Sequence, residues 1–162
     1  MKVFLFFPLL LNSILSKLLS TTEWDGDSLF NYISPKIKAY QEILQYIIID
    51  PDEILNVSTK VKIGTKMKEF YNDKNVINYL IIFYSMNKTQ IDIENIIGNF
   101  SLLMKNTFAG YNENNVLISA FAFDNEKSTI KTGSRVKESF PDSTALKILN
   151  KTNTELKNKD YP

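Results

Sequence analysis

Residues 76–86 read Val-Ile-Asn-Tyr-Leu-Ile-Ile-Phe-Tyr-Ser-Met. Apolar side chains fall on both alternating faces of this stretch, and most of them are β-branched or aromatic, as strands favour. A strand with this pattern is buried on both faces, which is typical of the centre of a sheet covered by helices. The stretch therefore predicts an α/β fold.

The segments that follow extend this prediction. In residues 89–108 the apolar side chains lie on one helical stripe, and residues 116–123 form a second apolar run of strand length. A strand, a crossover helix and a second buried strand make a βαβ unit. A turn at residues 124–127 and a strand at 128–132 add a hairpin. We expect a small central sheet with helices on both faces.

The flanking segments are predicted from breakers and caps. Residues 21–35 show few apolar periods and are interpreted as an irregular loop, and the spacing of apolar residues in 37–49 predicts a helix. Asp50-Pro51-Asp52 ends that helix, because Pro disfavours helical backbone in the preceding residue. Ser58 or Thr59 is the expected cap of the next helix. Pro141-Asp142 begins the last one, and we expect the chain to fray after Thr152.

Composition excludes several classes of function. With 162 residues the chain has room for one domain with a substantial core. Its 19 basic and 18 acidic residues argue against nucleic-acid binding, which requires a basic excess. The sequence has no His and no Cys, so imidazole and thiol chemistry and disulfides are excluded. No set of catalytic residues is predicted.

The first 20 residues have the layout of a secretory signal peptide. Lys2 precedes a short apolar run, and Ser16 is a candidate residue before the cleavage point. We therefore expect a secreted protein or one at the extracellular face of the plasma membrane. N-glycosylation is predicted at three sequons near element ends. These are Asn56, Asn87 and Asn150.

Three aromatic side chains precede the predicted sheet. Trp24, Phe30 and Tyr32 lie in the segment interpreted as a loop. Exposed aromatic residues anchor protein interfaces, so these three are candidate partner-binding residues. The alternative is that they fold back and cover the core. Arg135, the single Arg of the chain, is a weaker candidate for holding an anion.

From residue 50 to about residue 150 the sequence resembles a TPM domain. The resemblance is carried by Asp50-Pro51-Asp52-Glu53-Ile54-Leu55 and by Asn114-Asn115-Val116-Leu117-Ile118. Ile130-Lys131-Thr132-Gly133 and Pro141-Asp142 complete the order of motifs. Together with Trp24 and Tyr32-Ile33-Ser34-Pro35 upstream, the acidic opening is most similar to the nematode branch of this family, the modulators of levamisole receptor. Asn115 stands where the family usually has Gly.

The residue patterns and this resemblance together divide the chain into four regions. They are a signal peptide (1–20), an irregular segment with a helix (21–49), a TPM-like domain (50–150) and a polar tail (151–162). The implied function is non-catalytic protein binding, as an auxiliary modulator of a ligand-gated acetylcholine receptor channel. The alternative is a metal-assisted phosphatase of TPM type in a lumenal or extracellular space. The nematode branch also implies Cys near the acidic opening and a C-terminal membrane helix, and these 162 residues contain neither.

Carboxylates around the acidic opening form a candidate metal site. Asp50, Asp52 and Glu53 lie within four positions, and oxygen-rich clusters suit Ca²⁺. The resemblance also implies Ca²⁺, although no cofactor is required for protein binding. Asp124, together with the loop residues 112–114, offers further oxygens if the loops meet. The alternative, which we favour, is that Asp50 and Asp52 brace a turn through side-chain to backbone hydrogen bonds.

Overall fold

The computed structural model describes residues 23–39, 44–86 and 92–158. Within these ranges it contains six strands and four α-helices. The strands are Glu23–Trp24 (β1), Tyr46–Ile49 (β2), Ile77–Phe83 (β3), Ser85–Met86 (β4), Val116–Ala122 (β5) and Lys127–Thr132 (β6). The helices are Gly26–Ala39 (α1), Val57–Lys74 (α2), Ile93–Thr107 (α3) and Asp142–Asn158 (α4).

The main sheet has four strands in the order β2-β3-β5-β6. β3 and β5 are parallel neighbours, with Ile77 opposite Val116 and Phe83 opposite Ala122. Since α3 connects these two strands, the predicted βαβ unit is confirmed. β5 and β6 pair in antiparallel orientation, which confirms the hairpin. The α/β fold class is therefore confirmed.

Two helices cover each face of this sheet. On one face, alternate side chains of β3 such as Ile81 and Phe83 pack with the buried residues of α1 and α3. On the other face, Leu80 and Ile82 pack against α2, and Leu117 of β5 packs with Ala145 of α4. All seven residues of β3 are buried, which is why its sequence shows no polar face.

α1 corrects the prediction of a loop over residues 21–35. Asp25 Oδ1 accepts the backbone N–H of Ser28 at 2.8 Å, and Ser28 Oγ accepts the N–H of Asp25 at 2.8 Å. This reciprocal pair begins the helix in the manner of a capping box. Leu29, Ile33 and Ile37 then recur every fourth residue and are fully or almost fully buried. Few apolar positions were needed, because only one narrow stripe of α1 faces α3.

β2 corrects the helix predicted over residues 37–49. α1 includes Ile37, but residues 46–49 are extended and pair in parallel with β3, Ile47 lying opposite Tyr79. The run Tyr-Ile-Ile-Ile suits a strand, since three of its four residues are β-branched. The helical spacing of the apolar residues was misleading here, because pairing with the neighbouring strand β3 determined the backbone conformation.

Two smaller differences concern helix ends. The cap of α2 is Asn56, whose Oδ1 accepts the N–H of Thr59 at 2.8 Å, so neither Ser58 nor Thr59 is the cap. α4 continues to Asn158, beyond Thr152, where we expected fraying.

The signal-peptide prediction and Asn87 lie outside the described residues. No helix in the described part of the chain is both long and apolar enough to cross a bilayer.

Candidate functional site at the carboxyl edge of the sheet

Three parallel strands end at the same edge of the sheet. β2 is followed by Asp50, β3 by Tyr84 and β5 by Phe123 and Asp124. Because β2, β3 and β5 are parallel, these residues lie at one edge, which we call the carboxyl edge. In α/β proteins ligands bind outside the carboxyl ends of the strands. Part of the candidate metal set is thus placed where binding sites usually form.

Asp50 is engaged inside the protein. Its side chain is 1% exposed, and its Oδ2 lies 2.9 Å from the Lys60 Nζ. Oδ1 accepts the N–H of Ile54 at 2.8 Å, and Oδ2 accepts the N–H of Leu55 at 2.9 Å. Burying a carboxylate requires such compensation by donors and a cation. Asp50 therefore braces the turn that connects β2 to α2.

Asp52 joins three separate segments. Its Oδ1 accepts the indole N–H of Trp24 at 3.0 Å, and its Oδ2 accepts the backbone N–H of Tyr84 at 2.7 Å. Both bonds span about thirty positions of the chain, so no local pattern encodes them. Asp52 positions Trp24 beside the end of β3.

Glu53 and Asp124 are exposed. Glu53 has a φ of 51°, the left-handed conformation. The backbone N–H of Asp124 donates to the Tyr84 carbonyl at 2.8 Å, and the Ser85 hydroxyl lies 3.5 Å from Asp124 Oδ2. Asp52 and Asp124 thus both contact Tyr84, the residue after β3, whereas Asp50 is directed into the turn. The described residues contain no group of three or more acidic, His or Cys side chains that could hold a metal ion.

The loop before β5 does not join this site. Residues 112–114 precede the first residue of β5 and Asp124 follows the last, so they lie at opposite ends of the strand. The condition that these loops meet is therefore not fulfilled, and residues 112–114 do not join Asp124 in one site. Glu113 instead pairs with Lys105, Oε1 to Nζ 2.7 Å. Asn115 needs no left-handed backbone, and its side-chain amide donates to the Asn75 carbonyl.

The three candidate aromatic residues do not form one cluster. Trp24 and Tyr32 meet edge to face, with ring centroids 5.9 Å apart and an interplanar angle of 77°. Phe30 contacts Phe108 instead, at 6.2 Å between centroids. All three are half-buried against the core on the α1 and α3 face. Trp24 and Tyr32 therefore cover the core and still present part of their surface at the carboxyl edge.

Sequence reasoning missed several residues of this edge. Asn125 Oδ1 accepts the N–H of Met86 at 2.8 Å, and Trp24 pairs with Met86 in the two-stranded sheet β1–β4. Tyr84 and Ser85 supply the central contacts of Asp52 and Asp124. The available signal was that polar residues lie within three positions after the ends of β3 and β5. Arg135, the candidate for an anion, lies after β6 and is exposed.

The predicted glycosylation sites have different settings. Asn56 and Asn150 are exposed, and Asn56 Oδ1 is occupied by the helix cap. Asn99, in the further sequon Asn99-Phe100-Ser101, is half-buried in α3 and donates from Nδ2 to Asp27 Oδ2 at 3.2 Å. The exposed pair remain predictions.

Comparison with known families matches residues 48–162 to the TPM domain. The chain belongs to the TPM domain family. No curated protein matches the sequence. The TPM match begins within β2, so β1 and α1 precede it, yet α1 packs on the same core as β3. The bond between Trp24 and Asp52 ties this preceding segment to the TPM domain.

Proposed function

We propose that this TPM domain is a non-catalytic protein-binding domain and that Trp24 is the main contact on its carboxyl edge. The supporting observation is the pair of hydrogen bonds that the Asp52 carboxylate accepts. One of its oxygens accepts from the Trp24 indole and the other from the Tyr84 backbone. A carboxylate engaged in this way holds an aromatic side chain in place at the edge.

The surroundings of Trp24 suit a binding anchor. Tyr32 packs edge-on against it, and the Lys36 Nζ lies 4.2 Å from the centre of the Tyr32 ring. Trp and Tyr dominate binding energy in protein interfaces. Aromatic side chains that are already fixed also lose little conformational entropy when a partner binds.

The partner class proposed is the extracellular part of an acetylcholine-gated channel, with the protein secreted or held at the cell surface. This step depends on the resemblance to the nematode modulator of levamisole receptor. A modulator must bind the open and closed channel with different affinities. A difference of about 1.4 kcal/mol would shift the gating equilibrium tenfold.

The test uses Trp24 as both contact and probe, because it is the single Trp of the chain. When the extracellular part of a channel binds, the fluorescence emission of Trp24 should shift to shorter wavelength, because water is excluded from around its indole ring. Trp24→Ala should weaken binding, measured by surface plasmon resonance, by about thirtyfold or more, as expected for a hot spot. Val61→Ala is the control, since Val61 is 62% exposed on α2 and is not part of the carboxyl edge. Equal affinity of both variants would contradict the proposal.

A metal-assisted phosphatase is the second candidate, favoured by the position of Asp52 and Asp124 at the carboxyl edge. The assay is hydrolysis of p-nitrophenyl phosphate with Ca²⁺ or Mg²⁺ present. Turnover that is lost in Asp52→Asn but kept in Asp73→Asn, an exposed carboxylate on α2, would favour the enzyme. Circular dichroism of both variants controls for folding. No turnover, together with partner binding through Trp24, would favour the binding function.

A further inference from the structure

Among the residues that the structure describes, β6 has one sheet neighbour, β5, and is therefore an edge strand of the main sheet. Its outer side opens into a groove of about 290 Å³ between α3 and α4. The groove is lined by Glu94 and Gly98 of α3, by residues 129–132 of β6, and by Lys137 and Asp142. Unpaired strand edges are templates for another strand.

The register identifies which backbone groups face the groove. Gly133 donates its N–H to the Val116 carbonyl at 2.7 Å, so hydrogen-bonded positions on this strand continue at Lys131 and Thr129. Ile130 and Thr132 alternate with them and direct their N–H and C=O groups away from β5. These groups are available to a further strand.

The helices beside this edge leave space and exposed apolar surface. A Cβ atom added at Gly98 would meet no atom within 4 Å, so α3 leaves room at the groove. Leu102, one turn later, is 53% exposed. On α4, Leu146 lies one turn after Asp142 and is 58% exposed. Large exposed apolar side chains beside a free strand edge are characteristic of a protein interface.

We propose that a second copy of this chain occupies the groove. The two β6 strands pair in antiparallel orientation about a two-fold axis at Ile130, which makes one continuous eight-stranded sheet. Such an axis is perpendicular to the sheet, so α3 meets α3 and α4 meets α4. Leu146, beside the Ala145 that packs with Ile130, then faces its equivalent near the axis. A self-complementary patch of this kind gives a closed dimer.

Charge selects this register. Centring the pair on Thr129 would set Lys131 opposite Lys127, and centring it on Lys131 would set that residue opposite its own copy. Like charges directly opposite one another destabilise a strand pair. Centring the pair on Ile130 sets Lys131 of one copy opposite Thr129 of the other. Thr129 and Glu94 line the same groove. Lys131 of each copy then approaches Glu94 of the other.

The experiment is sedimentation velocity of the full chain from about 1 to about 200 μM, the range in which a weak homodimer dissociates. We expect a concentration-dependent dimer. Gly98→Gln should abolish it, because the new side chain fills the space where the α3 helices meet. Gly64→Gln is the matched control: Gly64 also lies within a helix with no atom within 4 Å of an added Cβ, but on α2. Both changes favour helix, so unfolding does not explain a difference between them.

A charge swap tests the register. Lys131→Glu and Glu94→Lys should each weaken the dimer by about tenfold, since each creates two like-charged pairs. The double variant should restore the original dissociation constant within about threefold, because the pairs are re-formed with reversed sign. A monomer at every concentration would overturn the proposal. This result is also the one expected if the groove binds an extended segment of another protein instead of a second copy. A dimer that tolerates Gly98→Gln would place the interface elsewhere and also overturn it.

Discussion

At the residue scale, Asp50 illustrates how a motif acquires its role. The acidic opening suggested an ion site, but this carboxylate accepts two backbone N–H groups and contacts Lys60. The two backbone N–H groups, of Ile54 and Leu55, would be buried without a partner if the carboxylate were removed. Unsatisfied buried groups are costly, so the turn after β2 depends on this one side chain.

Asp50→Ala is therefore expected to lower the free energy of unfolding by about 2–4 kcal/mol. Urea denaturation followed by circular dichroism measures this. Asp73→Ala, which removes a carboxylate that is 68% exposed, should change the same quantity by less than about 0.5 kcal/mol. An equal loss in both variants would show that Asp50 is not a buried brace.

A second residue-scale prediction concerns Tyr79. Burial, with Tyr111 nearby, raises the pKa of the Tyr79 hydroxyl far above its usual range, and the hydroxyl donates to the Leu44 carbonyl at 2.9 Å. The folded state thus keeps a proton that the unfolded state loses near pH 10. The titration of this group should give stability no pH dependence below that pH and lower it above that pH by up to about 1.4 kcal/mol per pH unit.

Urea denaturation between pH 8 and 11 tests this dependence. Tyr79→Phe should be less stable at pH 8 by about 1 kcal/mol, because it lacks the hydrogen bond. It should also show a shallower alkaline decline. Burial raises the pKa of Tyr111 as well, so some decline remains. An identical slope in both proteins would argue against the role of Tyr79.

At the element scale, the contact of α1 with α3 depends on a close approach. A Cβ atom at Gly26 would lie 2.8 Å from the Ile96 carbonyl oxygen and 2.9 Å from the Phe100 backbone nitrogen. Real Cβ atoms do not approach backbone so closely, and backbone within a helix does not readily move aside. A side chain at this position would push the start of α1 away from α3.

Gly26→Ala should accordingly destabilise the protein by about 1–3 kcal/mol, as overpacking does. Gly64→Ala is the control: a Cβ there meets open space, so the change should stabilise α2 by up to about 1 kcal/mol. Thermal unfolding should shift in opposite directions for the two variants. A rise in melting temperature for both would contradict the close packing of α1 on α3.

At the scale of the whole molecule, α1 precedes the residues matched to the TPM domain but belongs to their core. Leu29 is fully buried and clusters with Ile96 and Phe100 of α3. Residues packed in one cluster are expected to unfold together. The segment before the match should therefore unfold with the domain and not before it.

Leu29→Ala tests this unity, and it should cost about 2–5 kcal/mol through the cavity that it leaves. In the wild type and in this variant, Trp24 fluorescence and circular dichroism should give coincident transitions. If fluorescence changes first, at lower urea, α1 is a separate appendage. Leu102→Ala, on the exposed side of α3, should leave the midpoint nearly unchanged.

Some features of this protein followed from residue order alone. β3 is apolar on both faces because it is buried on both faces, so the central strand and its covering helices were predictable. The apolar stripe of α3 was likewise predictable from the spacing of its apolar residues, and the hairpin of β5 and β6 from the turn between them. Both signals lie close together in the chain.

Other features were decided by tertiary structure. Residues 46–49 have both helical spacing and β-branched side chains, and pairing with β3 determined that they form a strand. Asp52 was recognised as a site residue, but its bonds to Trp24 and Tyr84 connect positions far apart. Local preferences are encoded by neighbouring residues, whereas these contacts exist only once the packed core brings distant segments together.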